Sequence, residues 1–220
     1  MLKDLLEQKR IWLFDFDGTL VDSMGMWQEV DEAILARHGV TVPDGFSDML
    51  VPLSEQETAQ CFLDHGCQGT VESIMQEINE LADHKYATSI ELKPGARALL
   101  DELKRRGVKM ALVTAATLPR ILPCLDRNGL SGYFNLILNC DAVGLPKSDP
   151  EIYRAALRYL GGNVEDAVFF EDNVTALSTA ASIGIATVGI YDDHADRHWE
   201  NLKKQANIAL RSFEEIGLEI

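Results

Sequence analysis

The chain has 220 residues, 46% hydrophobic and 25% charged, with 20 Lys and Arg against 35 Asp and Glu and a formal net charge of -15. That length supports one hydrophobic core with room for a smaller insertion, and the composition is that of an ordinary soluble globule. The acidic excess argues against nucleic acid and anionic membrane surfaces, both of which select for Lys and Arg. It leaves a small phosphorylated metabolite open, because one metal ion and one lysine can outweigh the global field locally.

The opening MLKDLLEQKR sets charges among its leucines and so lacks the apolar stretch of a signal peptide. Residues 2–9 read as a short amphipathic lead-in helix, with Leu2, Leu5 and Leu6 on one face. No later run is long enough to cross a bilayer, and a cytoplasmic protein is expected. Cys61, Cys67, Cys124 and Cys140 form no paired C-x-x-C pattern, which argues against zinc and for free, mostly buried thiols.

Ile11, Trp12, Leu13 and Phe14 are bulky and β-favouring, too short a run for a helix, and read as a buried strand. Asp15 and Asp17 follow. If the strand ran on, its alternation would turn both carboxylates to one side, although Gly18 marks a turn at about that point. Two carboxylates about 4 Å apart repel by roughly 4 kcal/mol at an effective dielectric near 20. Such a pair implies a cation, a shared proton, or both.

From Leu20 to Trp27 the chain reads as a flap leaving the strand edge. As far as Ile90 the apolar periodicity is helical, over Val30 to Leu35, Thr58 to Leu63 and Val71 to Leu81, punctuated by Gly39, Pro43-Asp44-Gly45 and His65-Gly66. Met26 and Trp27 in this block read as packing, and His65 and His84 have no evident partner.

After Pro94-Gly95 helices and strands alternate. The pattern predicts a helix over Ala96 to Arg106 and a strand over Val108 to Val113, then helix Pro119 to Arg127 and strand Phe134 to Leu138. Helix Pro150 to Leu160, strand Ala167 to Phe170, helix Val174 to Ile183 and strand Ile185 to Ile190 follow. This alternation predicts an α/β fold with a doubly wound parallel sheet. The stretch between the first and second strands is far longer than one crossover needs, which predicts an inserted all-helical domain over residues 24–90 on a core of 1–23 and 91–220. The tail from Trp199 reads as a peripheral helix and a short closing segment docked by Phe213 and Ile216. His194 and His198 read as a solvated surface pair without a third metal ligand.

In open α/β sheets ligands sit beyond the carboxyl ends of the strands, and those ends carry chemistry here. The second strand is followed by Thr114 and Ala115, the fourth by Glu171, Asp172 and Asn173, and Lys147 precedes a helix. Taken with D-x-D-G-T at positions 15–19, this set resembles the four motifs of the haloacid dehalogenase superfamily, and the helical block resembles that family's cap.

The resemblance implies a HAD-like Rossmannoid core with a helical cap and a Mg²⁺-dependent phosphatase. In that reading Asp15 is the nucleophile and Asp17 the general acid/base, and Thr114, Ala115 and Lys147 hold the phosphoryl group. Asp15, the backbone carbonyl of Asp17 and Asp172 hold magnesium, with Glu171 beside it through water. The implied substrate is a small phosphorylated metabolite of the sugar, polyol or nucleoside class, and the protein is expected as a monomer or weak homodimer.

Asn173, Ala176 and Ser148 depart from the residues common at those support positions. A β-phosphoglucomutase-like reading shares the motifs, but a mutase must grip a second phosphate, and residues 24–90 offer only Arg37 and Lys85 as Lys or Arg cations. A non-catalytic or phospho-acceptor module is the alternative outside the family; receiver domains lack both the inserted helices and the D-x-D pair.

Overall fold

A computed structural model describes residues 8–50 and 53–217; the lead-in helix expected over residues 2–9 lies outside them except at Gln8 and Lys9. The described residues up to Asp22, together with those from Glu91 onward, form one compact unit, and Ser23–Ile90 forms a second.

The first unit is a six-stranded sheet. Ile11–Phe14 (β1), Lys109–Thr114 (β2), Leu136–Asn139 (β3), Ala167–Glu171 (β4), Ala186–Ile190 (β5) and Ile208–Leu210 (β6) are ordered β3-β2-β1-β4-β5-β6, every pairing parallel. Central β1 is fully buried because all four of its residues are apolar, as a parallel strand covered on both faces requires. Its alternation sends Ile11 and Leu13 into a cluster with Ala111, Val113, Tyr153 and Phe169. Trp12 and Phe14 point the other way and stack on Phe170, with ring centroids 5.1 and 4.9 Å away.

The unit's helices are Ala96–Arg105, Leu118–Arg127, Cys140–Val143, Glu151–Leu160, Val174–Ser182 and Trp199–Gln205. Counting the second unit's four helices first, as α1 to α4, these are α5 to α10. Those four are Met24–Arg37 (α1), Phe46–Leu50 (α2), Glu55–Asp64 (α3) and Val71–Thr88 (α4), and the described part of this unit holds no strand. Ser54 and Glu57 close a capping box on α3, and Thr70 and Ser73 close another on α4. Val30, Ile34, Leu35, Phe62, Ile74 and Tyr86 are buried.

Three short elements were not legible in the hydrophobic pattern: β6, α2 and the four-residue α7. The tail forms α10 and then a true sixth strand, β6, only three residues long. Asn207 steadies its start by accepting a hydrogen bond from Thr187 N at 2.8 Å. The five-residue α2 falls below the length at which a 3.6-residue period can be recognised. Strand ends also shift: β3 begins at Leu136 rather than Phe134, because the Asn135 side chain accepts a hydrogen bond from Met110 N at 2.9 Å and is already engaged as a loop residue. Phe213 and Ile216 are buried as the sequence suggested, with Phe213 5.8 Å from the Phe170 ring. His194 and His198 lie exposed on a 3-10 turn.

The chain leaves and re-enters the first unit through paired backbone. Val21 and Leu92 form an antiparallel bridge, Asp22 N donates to Glu91 O at 3.0 Å, and Lys93 N donates to Leu20 O at 3.0 Å.

Candidate active site

The carboxyl ends of β1, β2 and β4 bring the chemically capable residues together. Asp15 follows β1 directly and is tied to the neighbouring strand by its own N–H, which donates to Phe170 O at 2.9 Å. Only 4% of the residue is exposed. Lys147 reaches it from the loop before α8, with Nζ 2.7 Å from Asp15 Oδ1 and 2.9 Å from Glu171 Oε2.

Glu171 ends β4 with no exposure at all. Its other oxygen accepts hydrogen bonds from the backbone N–H groups of Asp172, at 3.1 Å, and Asn173, at 3.0 Å. Thr19, fully buried, donates to Asp172 Oδ1 at 2.8 Å. The hydroxyl of Tyr153 lies 2.9 Å from Lys147 O and 3.0 Å from Ala176 O, pinning the lysine loop against α9. Asn173 caps α9 by accepting hydrogen bonds from Thr175 N and Ala176 N. The asparagine at this position therefore leaves the helix start satisfied.

Asp15, Glu171 and Asp172 each offer an oxygen within 4.8 Å of the others, and among the described residues this is the only such group of His, Cys, Asp or Glu placed to hold an ion. At that spacing each ionised pair repels by about 3–4 kcal/mol at an effective dielectric near 20, and a single ammonium cannot offset three carboxylates. The protonation equilibria register the imbalance. Burial, and then the charge of Asp15, push the Glu171 carboxyl well above its usual range despite Lys147. Burial and Asp15 likewise lift Asp172 to about 6, against the hydrogen bond from Thr19. Burial alone would lower the Lys147 ammonium, yet Asp15 and Glu171 outweigh it and raise it well above the ordinary lysine value.

An all-oxygen, carboxylate-rich donor set with surplus negative charge suits a hard divalent cation such as Mg²⁺. Soft or thiolate-seeking metals find no ligand here, since no cysteine belongs to this group.

Beside Lys147, three expected residues stand outside the three-carboxylate group: Asp17, Thr114 and Ala115. Asp17 is half-buried beyond the strand end, in a turn that Gly18 closes at φ 72°, and its backbone is bridged to Val21. Strand alternation does not extend to it, so its carboxylate is not among the three; its charge is felt instead by the Cys124 thiol on α6. Thr114 ends β2, is 1% exposed, and accepts a hydrogen bond from Ala116 N at 2.9 Å. Ala115 and Lys147 both line a cavity of about 490 Å³, with Cys140, Asp141, Leu145 and Pro146 among its other walls. Thr19 and Tyr153 were not singled out from the sequence for a role. Thr19 is the T of D-x-D-G-T, but nothing in its spacing shows which carboxylate it meets.

A sequence model of haloacid dehalogenase-like hydrolases matches residues 10–184, which span every residue of this site. The chain belongs to the haloacid dehalogenase-like hydrolases. Among related haloacid dehalogenase-like proteins, it is 26% identical over 206 residues to a phosphorylated carbohydrates phosphatase of Thermotoga maritima, covering 93% of this chain and 94% of that one. A candidate β-phosphoglucomutase of Thermotoga maritima superposes with a TM-score of 0.82 at 25% identity, over 94% of this chain and 96% of that one. CbbY of Rhodobacter sphaeroides, solved with phosphate, gives a TM-score of 0.75 at 28% identity, over 95% and 96%.

Proposed function

We propose that this haloacid dehalogenase-like hydrolase is a Mg²⁺-dependent phosphomonoesterase that acts through a phospho-aspartate on Asp15. Its main support is the cluster in which one half-buried lysine touches both Asp15 and Glu171 while Asp172 stands within ligand distance. Phosphoryl transfer is largely a matter of positioning and charge stabilisation, and a carboxylate nucleophile needs positive charge beside it before an anionic ester can approach.

In this reading an Asp15 oxygen attacks phosphorus, forming the aspartyl O–P bond as the ester P–O bond breaks. Asp17 delivers a proton to the departing alkoxide and then takes one from the water that attacks the aspartyl phosphate, so that inorganic phosphate leaves and Asp15 is regenerated. Lys147 remains an ammonium throughout, because its partners hold the proton on. With the Thr114 hydroxyl and the backbone at Ala115 it grips the phosphoryl oxygens. Asp15, Asp172 and the carbonyl of Asp17 would hold the metal, with Glu171 beside it through water. When bound, Mg²⁺ supplies the charge neutralisation that lets carboxylate and phosphate meet.

A sugar or polyol phosphate is the substrate class this chain fits best. The Thermotoga relative named for phosphorylated carbohydrates supports that choice. So does the scarcity of cations in Ser23–Ile90, where Lys85 is already paired with Glu29 and His38 with Glu77.

The structural likeness to a candidate β-phosphoglucomutase supports a second reading, a sugar phosphomutase. One experiment separates the two: phosphate release from a panel of phosphomonoesters with Mg²⁺, alongside Asp15→Asn and a chelator. The panel includes β-glucose 1-phosphate with trace bisphosphate, assayed for isomerised product. Free phosphate that depends on both Asp15 and Mg²⁺ is the expected result. Isomerised product with little free phosphate makes the protein a mutase, and full activity in Asp15→Asn removes the nucleophile.

A further inference from the structure

Asn139 lies beside the residues that grip phosphate in the reading above, yet it belongs to none of the motifs that mark them. It is the last residue of β3 and pairs in register with Thr114, the last residue of β2. It is 7% exposed. Its Nδ2 donates to Ala116 O at 2.8 Å and to Ala115 O at 3.3 Å, while its Oδ1 accepts a hydrogen bond from Ala142 N at 2.8 Å. Only this orientation of the amide is chemically consistent, because the flipped one would set its oxygen against two carbonyls and its NH₂ against an N–H.

We propose that Asn139 is a positioning residue that fixes the Thr114-Ala115-Ala116 loop in its phosphate-gripping conformation. A trans peptide is planar, with its C=O and the following N–H pointing in opposite directions. Drawing the Ala115 carbonyl to Asn139 therefore turns the Ala116 N–H away from it, where it is bonded to Thr114 Oγ1 at 2.9 Å. Thr114 Oγ1 then already accepts a hydrogen bond and keeps its own hydrogen to donate to a phosphoryl oxygen. Holding the Ala116 carbonyl orients the Thr117 N–H in the same way. The loop has few other side-chain constraints, since two of its residues are alanine. The same Asn139 side chain also caps the short α7, so one residue couples the phosphate loop to the segment that begins the Lys147 loop.

This inference rests on Thr114 being a phosphate ligand, and the test keeps the two claims separate. The readouts are kcat, KM and the inhibition constant of inorganic phosphate for Asn139→Ser, Asn139→Ala, Thr114→Ala and the double variant Asn139→Ala/Thr114→Ala. Serine keeps an acceptor for the cap but is too short to bridge to the two carbonyls. The expected outcome is a weakening of phosphate inhibition by about tenfold in Asn139→Ser, comparable with Asn139→Ala, which is the scale of one or two lost hydrogen bonds. In the double variant, Asn139→Ala should add little to Thr114→Ala, because both act on one hydroxyl.

Wild-type phosphate affinity in Asn139→Ser, alongside a weakened Thr114→Ala, overturns the inference and leaves the phosphate site intact. Unchanged affinity in Thr114→Ala overturns the phosphate assignment of Thr114 and the inference with it. If neither Asn139 variant folds, phosphate titrated into the isotope-labelled wild type decides. Coupled shifts of the Asn139 side-chain amide and the Ala116 N–H support the clamp, and an unmoved Asn139 amide refutes it.

Discussion

Asp31 is a carboxylic acid buried in the helical unit. It sits on α1 with 7% of its surface exposed. Burial is the main cause that lifts its pKa from 3.8 to about 6, opposed by a hydrogen bond from Ser47 and aided by the charge of Glu32. A folded-state pKa above the unfolded one means that the native protein holds this proton more tightly. Stability from this group is therefore present at low pH and is lost as pH rises from about 4 through about 6.

The shift of about 2 units at 1.36 kcal/mol each corresponds to about 3 kcal/mol at pH 7.5. Asp31→Asn keeps the shape and an acceptor for Ser47 and removes the charge. It should stabilise the protein by up to about 3 kcal/mol at pH 7.5, equivalent to a melting increase of ~6–12 °C for a chain of this size. By pH 5 the gap should shrink to about half, because the wild-type carboxyl is by then mostly protonated in the fold. Urea unfolding at the two pH values reads the difference, and hydrogen exchange of the α1 and α4 amides reads it even if the helical unit opens separately from the sheet. A destabilised Asp31→Asn, or a gap that does not change with pH, refutes the burial argument.

Two further outcomes follow from the site and from the contact between Gly95 and the tail. Mg²⁺ at a hundred times its dissociation constant should stabilise the fold by about 2.7 kcal/mol, seen as a melting shift of ~5–11 °C. That shift should be absent in Asp172→Ala and should fade below pH 6, where protons compete for Asp172; an equal shift in the variant refutes the metal assignment. Gly95→Ala should cost well over 2 kcal/mol. Its φ of 80° is strained for any L side chain by about 1–2 kcal/mol, and the new Cβ would lie 2.5 Å from Glu214 N. Gly107→Ala, at φ 70° with nothing within 4 Å, should cost only the backbone strain. Equal losses in urea unfolding would show that the tail contact carries no weight.

The sheet and the inserted helices were legible in the sequence because each is carried by many residues acting together. β1 declares itself through four consecutive bulky apolar side chains, and the βα alternation repeats often enough to survive shifted ends at β2 and β3. That Asp15 and Asp172 stand at strand ends was legible from the apolar runs before them, and Lys147 from its place just before a helix. Short elements were not: β6 has three residues and α2 five, and each is held by contacts distant in sequence. The same limit explains Thr19, whose partner Asp172 lies 153 residues along the chain. The same-face reading of Asp15 and Asp17 required the strand to run on, and β1 stops at Phe14 with a turn at Gly18, as the glycine indicated.

The bridge between Val21 and Leu92 bears on how such a protein can diversify. Because the outgoing and returning strands are already joined by hydrogen bonds at the rim of the sheet, the ends of the helical segment are held at hairpin distance whatever lies between them. Loop-closure entropy there is met locally and hardly changes with the length of the guest sequence. Lengthening, shortening or replacing Ser23–Ile90 leaves Asp15, Glu171 and Lys147 bonded within a frame that does not use it. Selection can therefore vary one exchangeable block while the carboxylate–lysine cluster in the other keeps its bonds.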